Sequence, residues 1–158
     1  SVEPIVLSED LLGEFSAHLS LYYFGNQRSA SAILAEQTKA VRQPDKTSAL
    51  KAMVGFVEPL AHALKQADWQ MVGQLMHENW MLKQSLASGI SNPAIQAAYA
   101  AGQQAGAWGG KLLGAGGGGF MLFIAPPERK AAIASALHNL RPFPFQLETG
   151  GSQVIFQG

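Results

Sequence analysis

The sequence predicts an α+β domain, a mostly antiparallel sheet with helices packed on one face. Three observations lead there. Short apolar runs at Leu19–Phe24, Lys111–Leu113 and Phe120–Ala125 read as strands. Longer stretches step their apolar residues by three and four, as in Ala49, Met53, Phe56, Leu60 and Leu64, the spacing of one buried helix face. A glycine-rich run, 114–119, joins two of the strands. No internal repeat or linker divides the 158 residues, so we expect a single domain over 1–158.

Taken in order, Val2–Leu7 reads as a short strand whose proline favours an edge position. A turn or short helix from Ser8 to about Phe15 leads into the strand Leu19–Phe24, which Gly25 ends. Ser29 caps a helix through Ile33, Leu34 and Gln37 that must stop before Pro44. Asp45 caps a second helix bearing the 49–64 stripe. Asp68 caps a third, through Trp69, Val72, Met76, Trp80 and Lys83 to Gly89. Asn92-Pro93 starts a fourth, because proline fits the first helical turn; it carries Ile95, Ala98, Tyr99 and Gly102 and closes near Gly106. Pro126-Pro127 opens the last helix, with Ile133, Ala134, Leu137 and Leu140. Apolar alternation at Phe143–Leu147 and Val154–Phe156, broken by Gly150-Gly151, closes the chain.

Composition excludes several functions. Net charge is zero, which argues against nucleic acid or an anionic membrane as partner. Cysteine is absent, so disulfides and thiolate metal sites are excluded. The longest strictly apolar run, Phe120–Ala125, is far too short to span a bilayer, and no signal segment opens the chain. Cytoplasm is the expected compartment. The first residue is Ser1 rather than Met, from which we expect that something upstream was removed. Charged residues make up only 14%, against about 25% in a typical domain. Such a surface fits either an Ala-rich helical protein or a face that a partner covers.

The run Gly114-Ala115-Gly116-Gly117-Gly118-Gly119 is the most informative stretch. So many glycines weaken a fold unless the backbone needs positive φ or close approach. Three readings are open: a flexible linker, a tight structural turn, or a backbone surface that meets a phosphate or another domain. The spelling matches the dinucleotide fingerprint Gly-x-Gly-x-x-Gly, but that motif needs a helix next, and Phe120–Ile124 is strand material. A P-loop needs Gly-Lys-Ser/Thr, and Leu112 follows Gly110-Lys111. The RNA-binding strand motif fails because Gly116 and Gly118 stand at its basic and aromatic positions. His77-Glu78 begins like a zinc-protease helix, yet Met81 stands where the second His must be; no metal site is expected.

The stretch Gly106–Phe120, with Gly109-Gly110-Lys111-Leu112 leading into the glycine run, resembles the third conserved motif of the GHMP kinases. The form is similar to that of the heptose-phosphate kinases. Leu21–Ala30, with Gly25 and Arg28, resembles the family's Tyr-Thr-Gly-x-x-Arg strand end; Asn79-Trp80, Lys83 and Gly89-Ile90-Ser91 resemble its Trp-x-x-Lys…Gly-Ile-Ser helix. Phe24 departs from the pattern, standing where the family usually has Thr.

The resemblance implies a ferredoxin-like C-terminal domain and, in a complete kinase, ATP- and Mg-dependent phosphate transfer to a sugar hydroxyl. It also implies that the ATP loop and catalytic acid belong to an N-terminal domain, which we expect to be absent. This chain alone is then expected to bind no cofactor and to hold no catalytic residue. Carried over by motif, Gly114, Ala115, Gly116, Gly117, Gly118 and Gly119 form one wall of the phosphate cleft, with Lys111 beside it. Arg28 and Lys83 are candidate anion contacts for a phosphorylated sugar. Each has a plainer reading: Arg28 as a capping or salt-bridge residue, Lys83 as a solvated helix position. Expected partners are the missing N-terminal domain or a sister chain, a sugar phosphate, and a second copy in a homodimer. The alternative function is a standalone, non-catalytic ligand-binding or protein-interaction module derived from such a kinase.

Overall fold

The computed structural model describes residues 4–25, 34–35, 38, 44–151 and 154. Four antiparallel strands form one sheet in the order β2-β3-β1-β4: β1 Leu19–Tyr23, β2 Gly109–Leu112, β3 Phe120–Ile124 and β4 Arg141–Pro142. Helices among the described residues include α1 Glu9–His18, α2 Pro44–Gly55, α3 Val57–Lys65, α4 Trp69–Leu86, α5 Pro93–Gln104 and α6 Lys130–Ala136. The α+β class and antiparallel sheet are those expected.

The pleat sorts the core into two layers. Tyr22, Met121 and Phe123 share one face and pack with Trp80, Ile95, Tyr99 and Ile133 of α4, α5 and α6. Leu19 and Ile124 project to the other face. There they meet Ala63, Trp69 and Val72, with Phe15 of α1 at the margin. Trp80 is fully buried and belongs to the core, as does Phe123.

Helix α4 reaches both layers because its backbone lies directly on β2. A Cβ on Gly109 would sit 1.9 Å from the Gly73 carbonyl oxygen, and one on Gly73 would sit 2.6 Å from Trp108 Cβ. Only glycine permits that approach. The helix starts where its cap predicts: Asp68 Oδ1 accepts a hydrogen bond from the Met71 amide at 3.0 Å. Helix α5 begins likewise, Asn92 Oδ1 accepting from the Ile95 amide at 3.0 Å, with Pro93 in the first turn.

Several boundaries differ from expectation, each for a local reason. Residues 4–8 form no strand and pair with neither edge of the sheet; Ser8 instead caps α1. The single helix expected over 45–64 is two, α2 and α3. Pro59 has no amide to offer the Gly55 carbonyl, and the chain turns at Phe56. Asp45 lies inside the first turn of α2, whose first residue is Pro44. Helix α4 ends at Leu86 and a 3₁₀ turn, Ser88–Ile90, follows. Another, Pro127–Arg129, precedes α6. The apolar alternation at Phe143–Leu147 forms no strand: β4 is the two residues before it, Arg141–Pro142, and Pro144 lacks a ladder donor. Val154 is outside any strand. Ser29, Ile33, Gln37, Ile155 and Phe156 lie outside the described residues. Among the described residues no helix is long and apolar enough to cross a membrane.

Candidate functional site

The glycine loop leaves the β2 end at Leu113 and returns at Phe120, closed by the Leu113 amide donating to the Phe120 carbonyl at 2.8 Å. It is a defined structure rather than a linker. Gly114, Gly116, Gly117 and Gly119 all take positive φ, between 76° and 113°. Two anchors hold it from outside. The Gly117 amide donates to the Ile90 carbonyl at 2.9 Å, and the Phe24 amide donates to the Gly119 carbonyl at 2.8 Å. Residue 116 is confined further, since a Cβ there would stand 2.7 Å from Ile90 Cα. The amides of Gly116, Gly118 and Gly119 make no hydrogen bond among the described residues. Closely spaced backbone amides without partners can receive an anion.

Two lysines stand beside the loop. Lys83 Nζ donates to the Gly114 carbonyl at 2.5 Å. Burial holds the Lys83 ammonium below its ordinary pKa, and the nearby Lys111 charge lowers it further. Among the described residues the only ion pair is Lys46–Asp45 at 3.5 Å, so neither lysine has a carboxylate partner there. Two like charges held near one another and half-buried favour an anion between them. The structure thus brings Lys83, Lys111 and Gly114–Gly119 together. Arg28 lies outside the described residues.

Sequence reasoning missed the support beneath β2. The buried Tyr99 hydroxyl donates to the Gly110 carbonyl at 3.3 Å and lies 2.9 Å from His77 Nδ1, which is 3.1 Å from Gln103 Nε2. Burial raises the Tyr99 pKa, so the phenol stays protonated. The four-residue spacing of Tyr99 and Gln103 on a helix was the available signal. It also missed Asn79 and Lys111 as joint lining of a cavity of about 180 Å³ between α2, α3 and α4. Among the described residues no cluster of His, Asp or Glu could hold a metal ion.

The family model described as GHMP kinases C terminal matches residues 60–141, which include α4, α5, β2, the glycine loop and β3. The chain belongs to that family. As a GHMP kinase C-terminal domain it is 27% identical over 138 residues to a D-glycero-alpha-D-manno-heptose 7-phosphate kinase of Campylobacter jejuni. That match covers 87% of this chain and 41% of the relative. It is 31% identical over 132 residues to a bifunctional fucokinase/GDP-fucose pyrophosphorylase of Arabidopsis thaliana, covering 82% of this chain and 12% of that one. Among solved structures, the L. major mevalonate kinase in complex with R-mevalonate superposes with a TM-score of 0.67 at 25% identity, over 77% of this chain and 37% of that chain. The GHMP domain therefore spans about two-fifths or less of the length of these relatives.

Proposed function

We propose that this chain supplies the C-terminal, phosphate-side half of an ATP-dependent kinase that phosphorylates a sugar of the heptose-phosphate class in the cytoplasm. The single observation behind this reading is the meeting of loop amides and two lysines that, among the described residues, have no hydrogen-bond and no acidic partner respectively. A phosphoryl group is the anion such a set fits best: amides for its oxygens, ammonium groups for its charge. The family membership and the Campylobacter relative support the choice of a sugar kinase.

The residues here fit a phosphate, but among the described residues there is no carboxylate cluster for its metal. In this proposal ATP and Mg²⁺ are positioned mainly by an N-terminal half, which also brings the catalytic acid. Gly116–Gly119, Lys83 and Lys111 hold and screen the phosphate from the opposite wall, and Arg28 joins them. Exposed Val54 and Val57, at 71% and 59% relative accessibility, lie on a side that the other half or a second copy would cover.

Phosphoryl transfer depends on positioning the triphosphate and its metal. The chain alone should therefore give no ADP from ATP with any heptose phosphate, while a polypeptide extended by an ATP-binding half turns over. Light scattering on the same samples should find the chain alone as a dimer. Turnover by the isolated chain, or a clean monomer, would contradict the corresponding part of the proposal.

A further inference from the structure

The phosphate-side site does not end at the lysines. Along α4, Val72, Met76, Asn79 and Lys83 fall at steps of four, three and four, one stripe on the helix surface. Its polarity changes in one direction. Lys83 bonds to the glycine loop. Asn79 and Met76 line the smaller cavity with Lys111. Met76 and Val72 line a second cavity of about 350 Å³, whose lining side chains are all apolar. Leu60 and Met76 belong to both cavities, and Leu113, the residue before the glycine loop, borders the larger one. Leu122, the register partner of Lys111, forms part of its floor. A cationic, amide-rich end therefore passes through one carboxamide into an apolar chamber, whose volume is at the low end of small-ligand pockets.

We propose that these two adjoining cavities, with the loop beside them, bind a single-chain amphiphile, a phosphate monoester whose head lies at Lys83, Lys111 and the loop and whose alkyl tail fills the chamber. The head position rests on the phosphate-site reading above. The tail position rests on the chamber alone. A sugar phosphate leaves the chamber unused, because a polyol gains nothing from apolar walls and loses its hydrogen bonds to water. An alkyl chain gains with each methylene it buries, roughly fourfold in affinity when burial is complete. At half that free energy, seven extra methylenes give on the order of a hundredfold.

Titration calorimetry of the full chain with methyl phosphate, octyl phosphate and octanol tests this. Octyl phosphate should bind about a hundredfold more tightly than methyl phosphate, and octanol should bind more weakly than octyl phosphate. Lys111→Met should weaken both esters. Leu64→Trp, which fills the chamber from α3, should return octyl phosphate to the affinity of methyl phosphate. Leu147→Trp does the same from a segment outside helix and strand, so the test survives if the first variant fails to fold. Equal affinity of the two esters overturns the amphiphile proposal and leaves the phosphate site standing. Octyl phosphate binding that ignores both tryptophans, or octanol binding as tightly, also overturns it. If neither ester binds, the phosphate-site reading fails with it.

Discussion

Gly116 carries the most exacting constraint in the loop. Its φ of 113° is a region that side chains rarely adopt, and Ile90 Cα leaves no room for a methyl group. A left-handed conformation costs about 1–2 kcal/mol and local overpacking about 1–3 more. Gly116→Ala should therefore lower the melting temperature by roughly 5–15 °C. Gly118, which does not share the positive φ of its neighbours, is the control: Gly118→Ala should melt close to the parent. Equal melting of both variants would return the loop to a loosely held connection. Lys83 makes a different prediction. Its pKa is lowered in the folded chain by burial first and by Lys111 second. Between that lowered value and the ordinary lysine value the unfolded chain binds more protons than the folded one. Stability contributed by this group therefore rises with pH across that window, and the penalty is full below it. The melting temperature of the parent should gain more on raising the pH from 7 towards 10 than that of Lys83→Met. Parallel pH profiles would mean that Lys83 is an ordinary solvated lysine.

At the scale of elements, the contact between α4 and β2 fixes where the lysines meet. Gly109→Ala places a methyl group against the Gly73 carbonyl and must push helix from strand. The cost expected is about 3 kcal/mol, the upper part of the overpacking range, with loss of phosphate binding as Lys83 and Lys111 separate. Unchanged melting and binding would show that α4 does not set the site. What the sequence revealed follows the same division. Caps at Asp68 and Asn92 act through bonds to residues three places away, so the starts of α4 and α5 were legible. The strands beside the glycine loop were legible from their apolar runs. Pro59 splitting the 45–64 stripe was a local signal outweighed by the periodicity. Residues 4–8 were misleading, because pattern alone does not report whether a segment comes to lie against a partner strand. The site was half legible. Its loop and lysines came from motif resemblance, whereas the Tyr99–His77 support and the two cavities depend on elements far apart in sequence.

The whole molecule is a two-layered α+β domain whose glycine loop and two lysines gather at one end of its sheet, with few charges elsewhere. Both layers reach that end through α4. The proposal that matters most is that Gly116–Gly119, Lys83 and Lys111 together hold a phosphoryl group. Amide-resolved NMR of the chain titrated with a heptose phosphate tests it most directly. The account predicts saturable shifts largest at Gly116, Gly118, Gly119 and Lys111, lost in the double variant Lys83→Met, Lys111→Met. Shifts confined to other regions, or none at millimolar ligand, would contradict it.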